Sequence, residues 1–248
     1  MPSVKKRGES SEQWTAINLP IAHCQNVTFV VGDVHGQSRI LEEAVVSIRR
    51  RIVDGNALAP TIVFLGDLID RGPGIFETLN IIRHLRRDFG NRVFVIRGNH
   101  ERTFMGYALG FLTPRDFQDW IELYGGGDTL AACGIDVANA RLCYRAGVAR
   151  EMTPLAARLF DFCSRTIDFI RMESVICVHE PECGERIRRH NPSITMMVHG
   201  HVIQREVVLD DDHRLGLDLG SYCSQQLAVL QFGGGVAAFT VLRASARE

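Results

Sequence analysis

Along this chain, apolar residues fall in short unbroken runs that alternate with stretches at helical spacing. Val27 to Val31 is a β-branched and aromatic run that stops at Gly32, and Ile40, Leu41, Ala44, Val45, Ile48 and Ile52 then mark one face of a helix. Asp54-Gly55-Asn56 breaks that helix. The device recurs: Thr61–Leu65 ends at Gly66 and precedes a stripe of Ile75, Leu79, Ile82 and Leu85, and Val93–Ile96 ends at Gly98. Strand, loop and helix in succession predict crossover units and a largely parallel sheet. Residues 101–173 read as mostly helical, with Thr113-Pro114 and Thr153-Pro154 each placing an N-cap before a proline at the first helical position. Strands return at Val175–Val178, Thr195–Val198, Glu206–Leu209 and Leu215–Leu219, and a closing hairpin pairs Leu227–Phe232 with Val236–Leu242. The expected fold is α/β, two facing mixed β-sheets flanked by helices, with a helical insert around 101–173. Residues 1–20 read as a flexible polar arm and 21–248 as a single domain.

Composition changes this picture little. The chain has 248 residues, 46% of them hydrophobic and 23% charged, which is enough to bury a substantial core. A net charge of −1 gives no pull towards nucleic acid or anionic lipid. Seven cysteines, an odd count without a C-x-x-C pair, predict free and largely buried thiols in a reducing compartment. Lys5, Lys6 and Arg7 are followed by polar residues, not by an apolar leader segment, and no apolar stretch is long enough to span a bilayer. A cytoplasmic location without membrane attachment is expected.

Candidate chemistry changes it most. Five peptides set ligating side chains beside glycine or at the end of an apolar run: Gly-Asp33-Val-His35-Gly, Gly-Asp67-Leu-Ile-Asp70-Arg71-Gly, Gly98-Asn99-His100-Glu101, Val178-His179-Glu180 and His199-Gly200-His201. Ligands of open α/β sheets bind beyond the carboxyl ends of the strands, so donors far apart in sequence converge there. Carboxylate and imidazole without thiolate suits manganese, iron or zinc, whereas calcium wants more oxygens and structural zinc wants cysteine. A pair of such cations about 3.5–4 Å apart activates water and clamps both oxygens of an in-line displacement at phosphorus.

The blocks GDVHG, GDLIDRG, RGNHE, VHE and VHGH resemble those of the calcineurin-like metallophosphoesterases. The DRG and the Glu after GNH resemble the PPP-type branch of serine/threonine protein phosphatases and symmetrical diadenosine tetraphosphatases. Trp120 and Gly125-Gly126-Gly127-Asp128-Thr129-Leu130 resemble the helical insert of its bacterial members. The resemblance implies a metallophosphoesterase sandwich fold and two divalent metal ions, manganese first, with iron, zinc or magnesium as alternatives. Asp33 and His35 would hold the first ion, Asp67 would bridge, and Asn99, His179 and His201 would hold the second. The motif order favours His201 over His199 as the ligand in the last block; His199 would be either the ligand in its place or a neighbour of the site, donating its ring N–H to a carboxylate. His100 would be the general acid, oriented by Asp70, with Arg71 and Asn99 binding the phosphoryl group.

The implied reaction is hydrolysis of phosphate monoesters by metal-bridging hydroxide, on a phosphorylated protein or a small phosphoester or nucleotide. Hydrolysis of dinucleoside polyphosphates is the alternative. A binding module that had lost catalysis would lack a ligand or the acid, and every mapped position is present. The sequence departs from the family pattern at Glu180-Pro181-Glu182, where small residues are usual, and in the short 179–199 spacing, where a second phosphate-binding arginine is expected.

Overall fold

The computed structural model describes residues 13–21, 26–146 and 152–244. Its strands are β1 (Thr15–Ala16), β2 (Thr28–Val31), β3 (Thr61–Phe64), β4 (Val93–Val95), β5 (Phe169–Met172), β6 (Val175–Val178), β7 (Met196–His199), β8 (Arg214–Gly216), β9 (Gln226–Gly233) and β10 (Val236–Arg243). Between them lie helices α1 (Ser38–Asp54), α2 (Ile75–Phe89), α3 (Asn99–Leu109), α4 (Pro114–Glu122), α5 (Gly126–Ala132), α6 (Val137–Arg145), α7 (Pro154–Ser164), α8 (Pro181–Arg189) and α9 (Ser221–Ser224). One sheet runs β1-β10-β9-β2-β3-β4 and the other β5-β6-β7-β8. Both are mixed: β2, β3 and β4 are parallel, as are β6, β7 and β8, and the remaining pairs are antiparallel.

Alternation along the strands explains the layering. Phe29, Val31, Ile62 and Phe64 point into a core shared with α1 and α2, while Val30, Val63 and Leu65 point the other way. There they meet Val175, Cys177, Met196 and Val198 of the second sheet. The opposite faces of those second-sheet strands present Ile176, Val178 and Met197 to Ile187 of α8. Central strands buried on both faces need apolar residues at every position, which is why they appear as runs in the sequence.

Three expectations differ from the structure. The helical reading of 101–173 stops short, because Phe169–Met172 forms β5, an edge strand whose half-exposed pattern hid it. Glu206–Leu209 is no strand: only Leu209 bridges to Leu215, and the N–H groups of Gln204 and Asp210 bond the carbonyls of Asp218, in a loop, and of Arg214, at the start of β8. Leu215–Leu219 shortens to β8, because beyond Gly216 the chain leaves the ladder and passes Gly32, whose missing side chain makes room for the Leu217 carbonyl. Glu180-Pro181-Glu182 opens α8, with proline at its first turn.

The expected arm is packed against the fold in its described part. Residues 1–12 lie outside the described residues, but Thr15–Ala16 pairs with β10, Trp14 stands edge-on to Phe29, and Leu19 is buried. All six cysteines among the described residues are free. Cys133, Cys163 and Cys177 are buried as expected, but Cys223 is exposed, and Cys24 lies outside the described residues. Among the described residues no helix is long and apolar enough to cross a membrane.

Candidate metal centre

Register brings the five peptides together. Val31 pairs with Phe64, Phe64 with Val95, and Val178 with His199, so the loops after β2, β3, β4, β6 and β7 all leave their sheets at carboxyl ends. The backbone there is bent into unusual shapes. Nine described residues other than glycine have a left-handed backbone, and five of them are His35, Asp67, Asp70, Arg71 and His201. Such conformations cost roughly 1–3 kcal/mol each and persist only where surrounding contacts over-determine them.

Glu101 supplies many of those contacts. Its carboxylate is fully buried and accepts the N–H groups of Asp67 (2.9 Å), Leu68 (2.7 Å) and Gly98 (2.8 Å). Burial and the nearby Asp67 raise its pKa, and those N–H bonds oppose the rise. Ser221 performs a similar task from α9, donating its hydroxyl to the carbonyls of Asp33 and Val34.

Asp67 sits at the centre. Its Oδ2 lies 3.7 Å from His35 Nε2 and 3.8 Å from His100 Nε2, and its Oδ1 lies 3.4 Å from His179 Nε2. The two oxygens thus face two groups of candidate ligands: His35, Asp67 and His100 on one side, and Asp67, His179 and His201 on the other. Asn99 joins the second group, its Oδ1 being 2.9 Å from both His179 Nε2 and His201 Nδ1. Asp33 approaches from below, with Oδ2 3.8 Å from His179 Nδ1 and accepting the His201 N–H at 3.1 Å. The first group thus contains His100, where the sequence suggested Asp33 as the partner of His35.

The donor set fits a pair of divalent cations. His35 Nδ1–H donates to the Ile69 carbonyl at 2.9 Å and His179 Nδ1–H to the Leu65 carbonyl at 3.0 Å, which leaves both Nε2 lone pairs turned inward. Asp33 Oδ1 is buried without a hydrogen-bond partner, a costly state for a carboxylate oxygen that a cation relieves. Burial pushes the Asp33 carboxyl well above the usual carboxylate range, and the neighbouring Asp218 adds to it. His35 is driven down to about 4, chiefly by burial. Burial also disfavours the charged form of His179, but the Asp67, Asp33 and Glu101 carboxylates together outweigh it and lift the ring to about 10 when no cation is bound.

The two residues expected as acid and orienter, His100 and Asp70, are in direct contact. His100 Nδ1–H donates to Asp70 Oδ2 at 2.6 Å, and Asp70 is completely buried. A carboxylate only accepts, so Nδ1 carries a proton and Nε2 faces the site; burial disfavours a second proton on the ring, but the Asp67 and Asp70 carboxylates raise its pKa, so that Nε2 can carry one as well. Arg71 stacks its guanidinium over the Tyr222 ring at 4.3 Å and reaches to 3.5 Å from His35 Nε2.

His199 is corrected. It is buried, but its Nδ1–H donates to the Gly200 carbonyl at 2.9 Å and not to a carboxylate. Glu180, in the segment that departs from the family pattern, is paired with Arg102 at 2.6 Å. Arg97 bonds Thr166 at 2.9 Å, a structural partnership in line with its position before the block. Glu101, Asp218, Tyr222, Trp120 and Thr129 received no role from sequence. For Asp218 a signal existed, since Asp218-Leu-Gly220 follows an apolar run as the other blocks do, whereas Tyr222 carried none.

The sequence model of the calcineurin-like phosphoesterase family matches residues 27–205. Serine/threonine-protein phosphatase PP2A-like PPG1 of Saccharomyces cerevisiae is 34% identical over 106 residues, 43% of this chain and 26% of that protein. Serine/threonine-protein phosphatase PP1-delta of Caenorhabditis elegans is 28% identical over 133 residues, 51% of this chain and 41% of that protein. The matches thus span well under half of each curated relative. Among solved structures, one provisionally assigned as a diadenosine tetraphosphatase has a TM-score of 0.53 at 16% identity, covering 94% of this chain and 100% of its own. The chain belongs to the calcineurin-like phosphoesterase family.

Proposed function

We propose that the protein is a metal-dependent phosphomonoesterase acting on phosphorylated proteins or small phosphoesters in the cytoplasm. Asp33, His35, Asp67, Asn99, His179 and His201 hold two divalent cations, manganese first among the candidates. The observation that carries this reading is Asp67, whose two oxygens face two separate ligand groups at 3.7 Å and 3.4 Å. When bound, the cations supply a water of lowered pKa and neutralise charge on the phosphoryl oxygens.

The chain's own groups complete the chemistry. Arg71, held against Tyr222, presents its N–H donors to the phosphoryl oxygens as negative charge develops. Asn99 turns its Oδ1 to the ligand group, which frees its amide N–H for the substrate. His100 delivers a proton from Nε2 to the leaving oxygen while Asp70 holds Nδ1, a contribution of about 10²–10⁴-fold.

Activity against a panel of phosphorylated compounds, measured after stripping the protein and re-adding manganese, iron, zinc or magnesium, tests the reading. Restoration on phosphomonoesters is expected, and no restoration on any ester or anhydride contradicts it. A cleft of about 330 Å³ beside His179, lined by Arg97, Arg102 and Arg186 and also by Asp168 and Glu180, favours hydrolysis of dinucleoside polyphosphates as a second reading, because it offers room for a further phosphate. Diadenosine tetraphosphate assayed against a phosphopeptide at equal concentration separates the two.

A further inference from the structure

The helical insert does more than cover the site. We propose that Trp120 of α4 and Thr129 of α5 are positioning residues that fix Asp70, and through it aim His100. The proposal rests on the reading of His100 as proton donor.

Asp70 accepts from three side chains. His100 Nδ1–H (2.6 Å) and Trp120 Nε1–H (2.7 Å) both bond Oδ2, and the Thr129 hydroxyl donates to Oδ1. Thr129 Oγ1 also accepts the Asp70 N–H at 3.1 Å, so its own proton is directed to the carboxylate. With an insert donor on each oxygen, the carboxylate plane is fixed. Without them, His100 would be its sole side-chain partner, and the carboxylate would be free to turn about its last torsion.

The insert is built to reach this point. Trp120 is 1% exposed, and its indole lies where a side chain on Gly126 would collide with it. Gly125, with φ +77, accepts the Arg71 N–H at 3.3 Å, and a Cβ there would meet Arg71 N at 2.6 Å. Docking is therefore onto the Asp70-Arg71 turn itself, where both residues have φ 65. That turn is strained, and the insert is one of the contacts that over-determine it.

A purely structural role for Trp120 is the competing account, since its ring packs with Phe104, Tyr107 and Phe117. Trp120→Phe keeps an aromatic ring and removes the N–H, Thr129→Val removes the hydroxyl at constant shape, and Thr129→Ser restores it. With manganese-loaded protein, kcat/KM is measured on aryl phosphates from p-nitrophenyl to phenyl phosphate. The metal-free protein, labelled with ¹⁵N-histidine, reports the His100 Nδ1–H resonance. Misaiming a reacting group by about 1 Å costs on the order of 10²-fold, so a partial loss of aim predicts about a tenfold fall on phenyl phosphate and under about threefold on p-nitrophenyl phosphate. KM and metal content stay constant, the resonance shifts or broadens in Trp120→Phe and Thr129→Val, and Thr129→Ser, which keeps the hydroxyl, behaves like the parent. Equal loss on every leaving group, no loss, or an unmoved resonance overturns the proposal. His100→Asn in the same series separates the layers: if it too shows no leaving-group dependence, the proton-donor reading has failed and the proposal falls with it.

Discussion

The floor of the site and the insert above it are built on opposite principles. On the floor the ligating groups ride on left-handed, strained backbone at His35, Asp67 and His201, held by interior hydrogen bonds such as those to Glu101 and Ser221. The insert instead uses regular helices with ordinary caps: Thr113 accepts the Asp116 N–H at the start of α4, and Thr153 accepts the Ala156 N–H at the start of α7. Strain thus collects where the cations would bind, with five of the nine left-handed residues other than glycine among those described, and local propensity is obeyed in the helices of the insert, so substitutions in the two regions should fail differently.

The largest effect is expected from Asp67→Asn on the floor. It removes the shared carboxylate charge, so bound metal should fall for both ions together and activity should vanish, as read by metal analysis beside phosphatase assay. Loss of one ion alone breaks the idea of a common floor. Next comes His100→Asn, which should cost about 10²–10⁴-fold on a poor leaving group and far less on p-nitrophenyl phosphate, with metal content intact. Equal losses would argue that His100 belongs with the ligands.

Smaller effects concern stability. Chelation removes whatever the cations add to the folded state, about 2.7 kcal/mol when they are present at a hundred times their dissociation constant, so Tm should fall on adding a chelator and recover with manganese. An unchanged Tm would mean that the buried carboxylates need no cation. Glu101→Gln replaces an acceptor oxygen with a donor facing backbone N–H groups, a loss of about 1–3 kcal/mol that thermal unfolding would register as several degrees. Thr113→Ala on the insert should cost only ~1 kcal/mol and leave kinetics untouched. A catalytic defect there would show that the insert's ordinary caps are coupled to the chemistry.

Legibility from sequence follows the same division. The strands buried on both faces and their terminal Gly-Asp turns were plain, because apolar runs and ligating side chains both leave strong local patterns, as in Thr28–Val31 followed by Asp33 and His35. β5 was hidden, since a half-exposed edge strand of four residues resembles the end of a helical region. Roles set by distant contacts were hidden too. Nothing near Trp120 shows that its N–H will meet a carboxylate fifty positions earlier, and nothing near His199 shows that it will bond the next carbonyl. The side chain of Glu101 was visible as part of a motif, but its three backbone partners lie in two loops that only the fold joins.

Electron paramagnetic resonance of the manganese-loaded protein tests the central claim most directly, because exchange coupling requires two ions on a shared ligand. The account predicts the multiline signal of a coupled pair at two equivalents of manganese, lost in Asp67→Asn. Six-line spectra of isolated ions at every loading would contradict it.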